Sequence, residues 1–167
     1  MEYFINFTPD DLTLLSRAAV MAGAAVALAR YSGRGGTDNE FQSIVSALEA
    51  AARQYPSNPL VQALLTAEAR QYTAGLARQF KSDTLQTTFQ DFKLAALNRC
   101  AQAIELLDQK APADQALEVR HSILTMCRTV AQASKEGGWH SSDPVDVKEE
   151  GVLEELARVL GVNVPSA

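Results

Sequence analysis

The residues able to do chemistry in this 167-residue chain are mostly carboxylates. Asp38, Glu40, Glu136, Asp143, Asp146, Glu149 and Glu150 gather around two polar loops. Carboxylates and loop carbonyls are the oxygen donors that a hard cation such as Ca2+ or Mg2+ takes, six to eight of them for Ca2+. Neither loop has EF-hand spacing. Glu40 and Glu149 equally fit acids capping a helix N-terminus, with the others solvated. If a cation is held, Glu136, Asp146 and Glu149 are the expected ligands, with Glu40 assisting.

Other chemistry finds less support. Glu118-x-x-His121 has the Glu-x-x-His form of di-iron bundles, but such a site needs a second copy and two further glutamates. The only other histidine, His140, has Gly137 three positions before it. Ser32-Gly33-Arg34-Gly35-Gly36 resembles a phosphate loop, yet it lacks the Lys-Ser/Thr ending and no strand precedes it. Cys100 and Cys127 lie in apolar helical contexts without CxxC pairing, which reads as buried, reduced thiols of an intracellular protein. No Ser-His-Asp set or dinucleotide fingerprint is present, so no enzyme activity is expected. Trp139, beside His140, is placed either to anchor a partner or to fold back over its own helices.

These residues must be positioned by helices. Alanine is abundant, β-branched residues are scarce between turn signals, and apolar spacing is helical nearly throughout. The expected fold class is all-α, a single domain of about six helices spanning residues 1–167. The first runs from Pro9 to about Tyr31, with Thr8 and Asp11 forming a capping box. Thr37 and Glu40 have the capping spacing for the second, which ends near Tyr55-Pro56. The third opens at Ser57 or Asn58 and carries Val61, Leu65, Tyr72, Leu76 and Phe80. The fourth follows Ser82 along the seam Leu85, Phe89, Phe92, Ala96, Cys100, Ile104 and Leu107. The fifth spans Pro112 to about Ser134. The sixth starts between Asp143 and Asp146 and ends at Gly161.

Composition excludes further classes. Hydrophobic residues make up 47% and charged residues 21%, a globular rather than a disordered balance. The net charge of −5 argues against nucleic acid as a partner, since phosphate binding needs a dense basic face. Most of the excess acid lies in residues 134–167, with seven acidic and three basic residues. The apolar run Ala18 to Ala29 is shorter than the roughly 20 residues that span a membrane. It reads as a helix at the centre of a bundle, with no transmembrane segment expected. The N-terminus lacks the basic start of a signal peptide.

An internal echo ties loops to helices. Ala27-x-Ala29-x-x-Ser32-Gly33 is followed by a loop and Glu40-x-x-x-Ile44. Ala131-x-Ala133-x-x-Glu136-Gly137, offset by 104 residues, is followed by a longer loop and Glu149-x-x-x-Leu153. At these residues the chain resembles the TerB-like family, the tellurite-resistance protein B group. That family repeats an Ala-rich helix ending in Ser-Asp-Gly, a short loop, and a glutamate opening the next helix. The stretch EEGVLEELARVLGV, Glu149 to Val162, resembles the helix after the loop without a gap. The likeness covers about residues 18–50 and 120–163. Ser32 and Glu136 replace the aspartate before the glycine, and Gly138 to about Val145 is an insertion.

The resemblance implies a cytoplasmic, non-enzymatic, all-helical protein of stress response and tellurite resistance. The family's acidic loops can bind divalent cations, Ca2+ or Mg2+ here; separately from the resemblance, protein partners are expected, a second copy of the chain among them. Two alternatives remain open. One is a metal-free helical interaction module docking through the Trp139 loop or an exposed stripe. The other is an enzyme using the helical interior as a small-molecule pocket.

Overall fold

A computed structural model describes residues 6–29, 34–81, 89–133 and 147–163, except the side chains of 34–40, 67, 81 and 147. The described chain is all-α, with no strand among the described residues. Its helices are α1 (Pro9–Ala29), α2 (Arg34–Gln54), α3 (Pro59–Leu64), α4 (Ala67–Lys81), α5 (Phe89–Lys110), α6 (Ala113–Ala133) and α7 (Val147–Leu160).

The ends of α1 and α7 follow local sequence chemistry. Thr8 Oγ1 accepts from the Asp11 amide at 3.1 Å, and Asp11 Oδ2 accepts from the Thr8 amide at 2.8 Å. That closes a reciprocal capping box in which aspartate replaces the usual glutamate. At the other end of the chain Gly161 adopts φ +66°, a left-handed conformation that glycine takes without strain. Val162 N donates to Ala157 O and Gly161 N to Arg158 O, the two bonds of a Schellman turn. Arg120 Nη1 then donates to the Leu160 carbonyl at 2.8 Å, tying the end of α7 to α6.

α1 packs against every other helix. From Ala18 to Ala29 each of its residues is buried. It is also the described helix long and apolar enough to cross a membrane, yet the other six helices cover it. A helix apolar on all sides calls for such all-round cover, and its alanines and Gly23 let neighbours approach closely. A β-carbon on Gly23 would lie 2.9 Å from Met126 Sδ of α6 and 3.2 Å from Ile44 Cγ1 of α2.

The stretch expected as one helix over 58–80 is divided into α3 and α4. Leu65 leaves the helical region at φ −96°, ψ 70°. Thr66 caps α4 instead, its Oγ1 accepting from the Ala69 amide at 3.1 Å. The buried Ser16 hydroxyl of α1 reaches this break, 3.4 Å from Leu64 O and 3.3 Å from Thr66 Oγ1. Helix α2 begins at Arg34, so Thr37 and Glu40 stand inside it rather than at its cap.

Candidate functional site

The relative directions of the helices decide where the two loop-bearing pairs, α1–α2 and α6–α7, place their acids. Lys110 Nζ of α5 sits 2.5 Å from Asp11 Oδ2 in the first turn of α1. α6 starts three residues later. α1 and α6 therefore start at the same end of the molecule. They meet again where Gly23 faces Met126. Twelve residues along α1 and thirteen along α6 separate these points, about 18–20 Å at the helical rise. The two helices thus run in the same direction, and their ends, Ala29 and Ala133, lie at the same far end.

Gly23 and Met126 are also near-equivalent under the 104-residue offset of the sequence echo. The two units therefore touch close to matching positions, as a pseudo-two-fold arrangement requires.

α7 returns its N-terminus to this far end. Arg120, in the first half of α6, holds the C-terminal carbonyl of α7. Lys93 Nζ of α5 bonds Glu155 Oε1 at 3.0 Å midway along α7. α5 runs opposite to α1, with Cys100 Sγ 3.7 Å from the Ala18 carbonyl. The Lys93–Glu155 pair is thus well along α1 toward Ala29. Glu149, six residues before Glu155, lies further toward the same end. α2 starts there too, since Ile44 lies level with Gly23 and Glu40 is one turn nearer the helix start.

Of the expected cation ligands, Glu149 is fully described and entirely shielded from solvent, with 0% exposure in the first turn of α7. The first turn of a helix is electrostatically favourable for an anion, because the helix dipole places partial positive charge there. Glu150 beside it is exposed. Glu136, Asp143 and Asp146 lie outside the described residues, as do Trp139 and His140. Glu40 and Asp38 are described in their helical backbone alone. Among the described residues no three His, Cys, Asp or Glu side chains gather closely enough to hold a metal ion.

The remaining reactive groups have structural surroundings. Glu118 Oε2 accepts from Asn58 Nδ2 at 2.8 Å, which ties it to the start of α3. His121 is half-buried on α6. Cys100 and Cys127 are buried free thiols. Burial pushes the Cys100 thiol up to about 12. Burial, and secondarily the neighbouring Cys100, push Cys127 well above its ordinary value. Both stay protonated and are poor nucleophiles.

One surface feature has no sequence motif. A groove of about 380 Å3 runs between α2 and α4, lined by Phe41, Val45, Ala74 and Ala77 with Arg70 and Arg78 along its edge. It exists only once the two helices pack. The recurrence of Arg70, Ala74 and Arg78 every four residues is its trace in the sequence.

No protein family, curated protein or solved structure matches this chain.

Proposed function

We propose that this is a TerB-like, non-enzymatic helical protein of stress response and tellurite resistance. It acts at the end where the α1–α2 and α6–α7 connections emerge. There it binds a divalent cation, Ca2+ or Mg2+, with Glu149 as the innermost ligand and Glu136, Asp146 and Glu40 completing the set. The observation that carries the proposal is the complete burial of the Glu149 carboxylate at a helix start. Away from water, its attraction for a cation is screened less than at the surface.

The donor chemistry fits a hard ion, since a carboxylate is an oxygen ligand. Glu149 alone falls short of the six to eight oxygens that Ca2+ takes, so the loop acids are required partners. The bound ion would supply charge that draws the two connections together. The chain's own residues supply a dry anchor on α7 and two helices, α1 and α6, ending side by side.

Calorimetric titration of the full chain with Ca2+, Mg2+ and Mn2+ tests the proposal, together with thermal unfolding in each ion. Binding at 100 times Kd adds about 2.7 kcal/mol of stability. Glu149→Gln should remove both the heat and the stabilisation while far-UV circular dichroism stays helical. Asp146→Asn provides a loop variant should Glu149→Gln fold poorly. No heat with any of the three ions at millimolar concentration overturns the cation assignment. Unchanged tellurite tolerance on expression in a sensitive bacterial host overturns the resistance role.

A further inference from the structure

We propose that the groove between α2 and α4 docks an acidic amphipathic helix of a protein partner. The two helices run antiparallel. Glu49 Oε1 meets Arg70 Nη2 at 3.2 Å at one end, and the Phe41 and Phe80 rings lie 5.6 Å apart at the other. Eight residues of α2 separate Phe41 from Glu49, giving a trough about 12 Å long, slightly over two helical turns. That length takes the i, i+4 and i+7 anchors of a docked helix.

The floor suits apolar anchors. Phe41 is buried and Val45 half-buried. Ala74 and Ala77 are small enough for a partner backbone to come close. Thr73 is the polar side chain set deepest, and its hydroxyl already donates to the Ala69 carbonyl at 2.7 Å. The trough is also open along its length, which suits a helix lying across it better than a small ligand needing enclosure on most sides.

Charge selects the partner. The molecule carries a net charge of −5. Along this groove the sign reverses. Arg70 and Arg78 line it from α4 and no acid is among the described lining residues; Glu49 pairs with Arg70 at one end, and Arg53 stands one turn beyond Glu49 on α2, outside the lining. Arg53 and Arg78 are exposed and have no ion-pair partner among the described residues. A helix with carboxylates flanking its apolar stripe is complementary to this edge, whereas one flanked by lysines is repelled. The inference stands independently of the cation proposal.

The probe is a displayed library of helical fourteen-residue peptides with fixed leucines at i, i+4 and i+7 and randomised flanking positions. It is selected against the full-length chain in parallel with Ala74→Arg, which fills the groove at an exposed helical position. The expected result is a pool enriched in Asp and Glu at the flanks and recovered on the native chain alone. Synthetic members should bind about tenfold more weakly to Arg70→Glu/Arg78→Glu. A pool recovered equally on both proteins, a pool enriched in Lys and Arg, or no enrichment overturns the proposal. A native dimer that Ala74→Arg splits, or groove-dependent stabilisation by decanoate without a peptide pool, assigns the groove to another occupant and also overturns it.

Discussion

Asn58 offers a graded test of how the α2–α3 turn is fixed to α6. Its side chain is 2% exposed and uses both ends of its amide. Oδ1 accepts from the amides of Leu60 and Val61 at 2.9 and 3.2 Å, capping α3. Nδ2 donates to the Gln115 carbonyl at 3.1 Å and to Glu118 Oε2 at 2.8 Å. Losing an asparagine cap costs about 1 kcal/mol. Losing the bond to a charged carboxylate costs about 2 kcal/mol more, because its partners are left in a poorly hydrated place. Asn58→Ala should therefore destabilise by about 3 kcal/mol, a fall in Tm of roughly 6–12 °C for a chain of this size. Asn58→Ser keeps the capping oxygen and should lose about 2 kcal/mol.

Asn58→Asp separates the two functions more sharply. It retains the cap but replaces the amide donor with a carboxylate facing Glu118. At neutral pH it should be at least as damaging as Asn58→Ala, and acidification should narrow its gap from the native protein as carboxylates protonate. Urea unfolding followed by far-UV circular dichroism reads all three variants. A loss below about 1 kcal/mol for Asn58→Ala, or equal losses for the Ala and Ser variants, would refute this assignment of the amide's two ends.

Acid, thiol and packing predictions follow from other contacts. The Asp11 carboxyl is held below its ordinary 3.8, chiefly by the hydrogen bond from Lys110 and then by the Thr8 amide. Glu68 is held below 4.5 by the Thr13 hydroxyl and then by Arg17. Both folded values are depressed, so both groups stabilise the fold above the unfolded pKa and lose that contribution as pH falls below it. Asp11→Asn and Glu68→Gln should flatten the loss of stability below about pH 4.5, and acid limbs matching the native protein's would count against this. Buried and protonated, Cys100 and Cys127 should resist a thiol reagent at pH 8 until the chain unfolds, and labelling at the rate of a free thiol would contradict their placement. Gly23→Val should cost about 1–3 kcal/mol by forcing Met126 and Ile44 aside. Gly23→Ala should be near neutral, because about 1 kcal/mol of helix propensity offsets a shift of the flexible Met126 thioether. A fully stable Gly23→Val would show that α1 and α6 do not meet closely there.

Features resting on nearby residues were legible in the sequence. The Thr8–Asp11 box and the Gly161 turn are local hydrogen-bond chemistry, and both form as their spacing implies. The division at Leu65 was not legible, because the apolar spacing runs straight through it. Its stabilising contact, the Ser16 hydroxyl, comes from 48 residues away. Thr66 was the visible hint. The Thr37–Glu40 spacing misled in the opposite sense. Capping preference is a local effect of about 1 kcal/mol, whereas α2 is held by the buried stripe Phe41, Ile44 and Leu48, whose packing tolerates an earlier start. At the candidate cation end, the acids were legible as residue types. The burial of Glu149 and the common direction of α1 and α6 were not, since both depend on how α5 and α6 pack around α1.

The central position of α1 explains why the two proposed sites fall where they do. The echoed units contribute α1 and α6 as inner helices running in the same direction, which brings their ends together and leaves α2 and α7 as the outer partners. The outer helices are unequal. α2 has 21 residues and α7 has 14. α7 is short enough to be closed off by α5 and α6 through Lys93–Glu155 and Arg120–Leu160. The longer α2 extends along α4, which has no counterpart in the echo, and the space between them is the groove. The proposed cation end thus belongs to what the two units share, and the proposed peptide groove to what distinguishes them. Shortening the α2–α4 contact should affect peptide capture without touching Glu149, and altering Glu149 should leave the arginine edge intact. The two proposals therefore fail separately.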